Sequence, residues 1–145
     1  MVPADVAPTV IGLGTDLVDL DRFRMVLART PGLVDRLFTP DEQAYAAERD
    51  DPTERLGGRF AAKEAALKAM GVGLGAARFR DIEVVRADSG APSLALHGSA
   101  AARADALGAG RWLVTISHTD HVAQAVVLAL TPPVMGAAAD REARA

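Results

Sequence analysis

Arg59-Phe60-Ala61-Ala62-Lys63-Glu64-Ala65-Ala66-Leu67-Lys68 is the stretch on which the fold turns. It sits within a longer helical run, from Thr53 or Glu54 to Met70, that stops at Gly71. At about 100° per residue, Leu56, Phe60, Leu67 and Met70 form one apolar stripe. Lys63 falls inside that stripe. Lysine is rarely buried alone, so Lys63 must either snorkel to solvent or pair with an acid. Glu64 and Lys68 lie four apart on one flank, the spacing of a surface ion pair worth about 0.3–0.5 kcal/mol.

Immediately after the helix comes a glycine-rich loop, Gly71 to Gly75. Glycines let backbone N–H groups approach phosphate oxygens. The loop also reads as a plain helix stop. Because it follows a helix C-terminus, whose dipole repels anions, a phosphate there needs a cation, and Lys68 is near enough in sequence to supply one. Toward the N-terminus, Val10 to Val18 reads as a buried strand. Side chains alternate across a strand, so Gly12, Gly14 and Asp16 share one face. Two positions without side chains lead up to a carboxylate, and either a ligand or another backbone can approach there.

The remaining elements follow from punctuation. Asp19 caps a helix from Leu20 to about Arg29, broken by Thr30-Pro31-Gly32. Leu33 to Phe38 is a short apolar piece. Thr39-Pro40-Asp41-Glu42 combines a Thr cap, Pro at the first helical position and acids in the first turn, which starts a helix running to about Arg49. Two strands, Ile82 to Arg86 and Ser93 to His97, flank an Asp88-Ser89-Gly90 turn. An Ala-rich helix from Ser99 to Leu107 ends at Gly108. A second hairpin joins Trp112–Ser117 to Val122–Leu130. The order of strand, helices, strand pair, helix and strand pair is that of an α+β domain with antiparallel pairing. Residues 10–131 form that domain, residues 1–9 read as a flexible lead-in, and residues 132–145, rich in Pro, Ala and charge, read as a disordered tail.

The chain has 145 residues, half of them apolar, with only one Trp, one Tyr and four Phe. Its core is therefore built from Ala, Val, Leu and Ile. There are no cysteines, which excludes disulfides, zinc–thiolate sites and thiol nucleophiles. The net charge of −3 and the lack of a basic block argue against nucleic acid as partner. No apolar run is long enough to span a membrane, and residues 1–8 lack a signal-peptide pattern, so the expected location is cytoplasmic. His97, His118 and His121 do not make a zinc spacing, and a lone His such as His118 more often bonds structurally than catalyses.

Together these stretches resemble the small trimeric phosphopantetheinyl transferases of the holo-acyl-carrier-protein synthase type. The family's first motif corresponds to Gly12-Leu13-Gly14-Thr15-Asp16-Leu17-Val18 followed by Asp21-Arg22-Phe23, and its second to the complete Arg59 to Lys68 helix. The glycine loop, Asp81-Ile82-Glu83-Val84 and the closing Val114 to His118 segment follow in order, so the likeness spans Val10 to Leu130. Leu113 stands where the family often has His, and Asp50 and Asp51 where some relatives are basic.

The resemblance implies an α+β phosphopantetheinyl transferase fold, an antiparallel sheet packed against a long helix. It implies transfer of 4′-phosphopantetheine from coenzyme A to a serine of apo acyl carrier protein, in support of fatty acid or polyketide synthesis. Asp16 and Glu64 would hold Mg²⁺, which suits an ion that takes one or two carboxylates plus substrate phosphate and water. Asp16, Glu64 and Lys68 would be the catalytic set. Coenzyme A would contact Arg59, Lys63, Lys68, Gly71, Gly73 and His118, and the carrier would contact Arg22, Arg24 and Met25. Arg59 and Lys68 project from nearly opposite sides of an ideal helix. They would reach different parts of one long ligand or serve different subunits' pockets, as in the family's homotrimers with interfacial sites. Two other readings predict different chemistry: a coenzyme A or nucleotide binder without turnover, and a purely structural oligomer.

Overall fold

In a computed structural model of the chain, residues 7–133 are described. Most of the expected lead-in and tail, residues 1–6 and 134–145, lies outside them. The chain opens with β1 (Val10–Asp19), α1 (Leu20–Arg29), α2 (Leu33–Leu37), α3 (Pro40–Ala47) and the long α4 (Thr53–Ala69). A 3₁₀ turn (Phe79–Asp81), β2 (Ile82–Arg86), β3 (Pro92–Leu96), α5 (Gly98–Leu107), β4 (Arg111–His118) and β5 (Val122–Leu130) complete it. The expected elements are present with ends shifted by a residue or two, and the apolar piece at Leu33 is a short helix.

Local chemistry explains the boundaries. The Asp19 side chain accepts from the Arg22 N–H at 2.9 Å and caps α1. Thr39 and Glu42 form a reciprocal capping box behind Pro40 at the start of α3. Helix α4 ends in a Schellman motif: Val72 N–H reaches Leu67 O, Gly71 N–H reaches Lys68 O, and Gly71 takes φ +69°.

The first and last strands meet. β1 and β4 flank β5 in an antiparallel three-stranded sheet of order β1-β5-β4, and β2 and β3 form a separate antiparallel hairpin. Helix α4 lies across the inner face of the larger sheet and is buried on almost all sides. That closeness is a backbone effect. A Cβ built on Gly12 would fall 2.0 Å from the Ala69 carbonyl oxygen, and one on Gly14 would fall 1.8 Å from that of Ala65. Another backbone, rather than a ligand, occupies the bare face of β1. Small residues opposite, Ala123, Ala125 and Ala129 on β5, complete the tight seam.

The outer face of the same sheet is apolar and uncovered. Leu13, Leu128 and Leu113 stand side by side across β1, β5 and β4, and Leu13, Leu17 and Leu113 are exposed.

Candidate active site

Asp16 leaves β1 on the face that looks toward α4, one alternation past Gly14. Glu64 and Lys68 lie one turn apart on α4. The three side chains line one cleft of about 620 Å³, together with Arg22, Phe23, Phe60, Leu74 and Phe79. Lys68 does not take Glu64 as its hydrogen-bonded partner, as the helical spacing suggests. Its ammonium donates to Asp16 Oδ1 at 3.0 Å and to the Thr15 carbonyl at 2.9 Å, so it ties the helix to the strand. Glu64 is half-buried. Burial, and then the nearby Asp16 charge, push its carboxyl above the ordinary range, while Lys68 partly offsets this. Two carboxylates facing one cleft, one of them half-buried, form a site that a divalent cation relieves. Among the described residues no cluster of three or more His, Asp or Glu could by itself hold a metal. The donor set is thus oxygen-only and incomplete, which fits magnesium completed by water and substrate phosphate.

A second cavity, of about 290 Å³, lies elsewhere on α4 and shares no lining residue with the first. Tyr45, Arg49, Glu54, Arg55, Arg59, Arg86 and His118 are among its walls. Three guanidinium groups surround one phenol ring: Arg55 at 3.9 Å, Arg59 at 4.1 Å and Arg86 at 4.6 Å from the Tyr45 centroid. Stacking on the ring holds the like charges together. Arg55 also pairs with Glu48 at 2.9 Å, and His118 lies 3.4 Å from Glu54. Arg59 is only 6% exposed, and its Nε is buried without a partner among the described residues. Burial depresses its proton affinity, yet a guanidinium remains charged. A desolvated, under-neutralised cation cluster of this kind is an anion site.

Of the residues expected to touch coenzyme A, Lys63 requires correction. It is fully buried, and its ammonium is held by Glu42 Oε1 at 2.7 Å, by the Phe79 carbonyl at 2.9 Å and by the Ile82 carbonyl. It pairs with an acid instead of snorkelling, and it lines neither cavity. Its donors are therefore unavailable to a diphosphate. Gly71 and Gly73 are exposed with open space where a Cβ would stand, and the loop enters the first cleft through Leu74. Arg22 lines that cleft, and Met25 is half exposed nearby on α1. Arg24 is engaged by Asp21 at 3.1 Å and Asp51 at 2.9 Å, so a carrier would have to displace those acids.

Tyr45, Arg55 and Arg86 stand in no sequence motif, and Glu42 is legible in the sequence only as an acid at a helix start. The demand of Lys63 for an acid was a signal for Glu42. Nothing in the spacing connects Tyr45 on α3 with Arg86 on β2.

The model of the 4′-phosphopantetheinyl transferase superfamily matches residues 12–126. The chain belongs to that superfamily. A holo-[acyl-carrier-protein] synthase of Frankia alni is 46% identical over 120 residues, spanning 83% of this chain and 97% of that protein. One of Streptomyces avermitilis is likewise 46% identical, over 83% of this chain and 98% of the relative. Among solved structures, the Bacillus anthracis synthase in complex with CoA (3′,5′-ADP) superposes with a TM-score of 0.72 at 32% identity. It is matched over 87% of this chain and all of that one. The Plasmodium yoelii holo-ACP-synthase gives a TM-score of 0.78 at 28% identity, over 88% and 99% of the two chains. The matched stretch, residues 12–126, includes Asp16, Glu64 and Lys68.

Proposed function

We propose that this chain is a holo-acyl-carrier-protein synthase: it moves 4′-phosphopantetheine from coenzyme A to a serine of an apo carrier protein and releases 3′,5′-ADP. The observation that carries this reading is the convergence of Asp16, Glu64 and Lys68 in one cleft of a chain in this superfamily. The carrier's serine oxygen bonds to the β-phosphorus as the bond from that phosphorus to the departing 3′,5′-ADP breaks. Asp16 and Glu64 are the residues to hold Mg²⁺, which when bound neutralises charge on the diphosphate. Lys68, tethered to Asp16 and to the strand backbone, adds a fixed positive charge beside the leaving group. Glu64, which lines the cleft beside Asp16 and Lys68, is our candidate to take the serine proton, directly or through a water.

Arg59 and His118, joined by Arg55 and Arg86, are assigned to the 3′-phosphate. The anion cavity and the carboxylate cleft have no wall in common within one chain. One coenzyme A can use both when neighbouring copies each contribute one. The bare leucine face of the three-stranded sheet supports such an assembly, for which we propose the homotrimer. Arg22 and Met25, at the cleft's edge, are proposed to meet the carrier. Among the described residues no helix is long and apolar enough to cross a membrane. A cytoplasmic role in fatty acid or polyketide synthesis agrees with a chain that has no cysteine.

The deciding experiment is the intact mass of a purified apo carrier protein after incubation with this protein, coenzyme A and Mg²⁺, beside an EDTA control. A gain of one phosphopantetheine, lost with EDTA, is expected. No gain on any of several carriers, with coenzyme A still bound, would overturn the transferase reading in favour of a binding protein. Light scattering should give three times the 15.1 kDa chain mass.

A further inference from the structure

We propose that the buried Lys63–Glu42 pair is a positioning device for coenzyme A, holding the chain's return from the glycine loop and so fixing the floor of the reaction cleft. The inference rests on the transferase reading, but its contacts stand independently. Lys63 clasps the entry to β2 directly through the carbonyls of Phe79 and Ile82. It clasps the same strand a second time through Glu42, whose Oε2 accepts from Val84 N–H at 3.1 Å and whose Oε1 accepts from Thr39 N–H at 2.9 Å. Three elements, α3, α4 and β2, thus meet at one ammonium.

The location gives the pair its role. The glycine loop leaves α4 after Met70 and returns at Phe79. Lys63, on the helix the loop departs from, bonds the carbonyl at which it returns. The Phe79 ring stacks on Phe60 with centroids 5.5 Å apart, and Phe60 stacks on Phe23 at 5.3 Å. All three rings line the cleft that holds Asp16, Glu64 and Lys68, as does Leu74 from the loop itself. Phe60 is one helical turn before Glu64. A shift of Phe79 is therefore passed through the ring stack to the surface beneath the carboxylates.

An apolar pair would fill the same volume but could not hold carbonyl oxygens. Replacing buried ion pairs with apolar residues is often neutral or favourable for stability, so stability alone does not account for this pair. A cleft floor contacts bound substrate in the ground state and the transition state alike, so its loss weakens binding more than turnover.

The test is the double variant Glu42→Met/Lys63→Met, compared with wild type by circular dichroism, calorimetric binding of coenzyme A, and transfer kinetics. The expected result is a folded protein whose Kd and KM for coenzyme A rise about 10-fold while kcat changes less than about 3-fold. KM for the carrier should stay unchanged. Hydrogen exchange at residues 71–79 should quicken while the middle of α4 stays protected. Unchanged coenzyme A affinity would overturn the proposal. So would a fall in kcat at constant affinity, which would return Lys63 to the chemistry. Should the double variant not fold, Glu42→Gln/Lys63→Met, which leaves no unpaired charge and keeps an acceptor for Val84, carries the same test. Its affinity for coenzyme A should fall about 3-fold, on the same ground-state argument, and an unchanged value would refute the clasp. Binding is measured separately from transfer, so failure of the clasp and failure of the transferase reading remain distinguishable.

Discussion

Helix α4 carries two ammonium–carboxylate pairs little more than a turn apart, and they differ almost entirely in surroundings. Lys63 and Glu42 meet at 2.7 Å with both side chains 0% exposed. Lys68 and Asp16 meet at 3.0 Å with exposures of 52% and 17%. In the first, every donor of the lysine has a protein acceptor, so the pair can only hold its place. In the second, water screens the attraction and either partner can exchange the other for a ligand. The same two functional groups thus build a strut in one place and a receptive site in the other.

The sharpest way to break this comparison is to truncate both lysines. Lys63→Ala leaves Glu42 buried without its cation, and should lose about 3–5 kcal/mol in urea unfolding. Lys68→Ala should lose less than about 1 kcal/mol. Equal losses would mean that burial does not separate the two pairs. Next in size, Glu64→Gln should lower transfer at least about 100-fold, the scale of one strong electrostatic group, with an unchanged urea midpoint. Near-normal turnover would remove Glu64 from the site.

The Tyr45 cluster extends the comparison to cations that outnumber their acids: of its three arginines, Arg55 alone pairs with a carboxylate among the described residues. Arg86→Ala should raise KM for coenzyme A about 10-fold, the scale of one charge-assisted hydrogen bond, and leave KM for dephospho-coenzyme A unaltered. An equal effect on both substrates would place the 3′-phosphate elsewhere.

The smallest effect belongs to Asp81, a carboxylate held by hydrogen bonds. It accepts from the Ser99 hydroxyl at 2.6 Å and the Ser99 N–H at 2.9 Å at the start of α5. Those bonds, the hydroxyl first, hold its pKa below the ordinary 3.8. A depressed carboxylate stabilises the fold above its unfolded value, and the benefit is lost as pH falls through the folded value. Asp81→Asn should therefore lose about 1 kcal/mol near neutrality, in line with a helix cap, and approach wild type in acid. A pH-independent difference would exclude the charge as the cause.

Much of this was legible from local chemistry. Asp19, Thr39 and Gly71 each announce a helix end by a side chain or conformation that acts within a few residues, and the structure places those ends accordingly. Asp16 and Glu64 were legible because each sits in a compact motif. What could not be read is what depends on distant encounters. Lys63 demanded an acid, but Glu42 is one of many acids upstream, and only the docking of α3 against β2 selects it. Lys68 was within reach of both Glu64 and Asp16, and the glycine strand decides for Asp16 by drawing the helix close. The three arginines around Tyr45 come from α4 and β2, so their meeting is a property of the fold and leaves no spacing in the sequence.

The seam between β1 and α4 has a consequence for how the molecule can diverge. Asp16 and Glu64 are gauged against each other by main chain resting on main chain, at Gly12 and Gly14 against the carbonyls of Ala69 and Ala65. Leucines and valines elsewhere in the core can therefore drift in size over generations while the span between the two carboxylates stays constant. A lineage that gained a methyl group at Gly14 would have to push the helix off the strand, and no substitution in the surrounding core could restore the lost span.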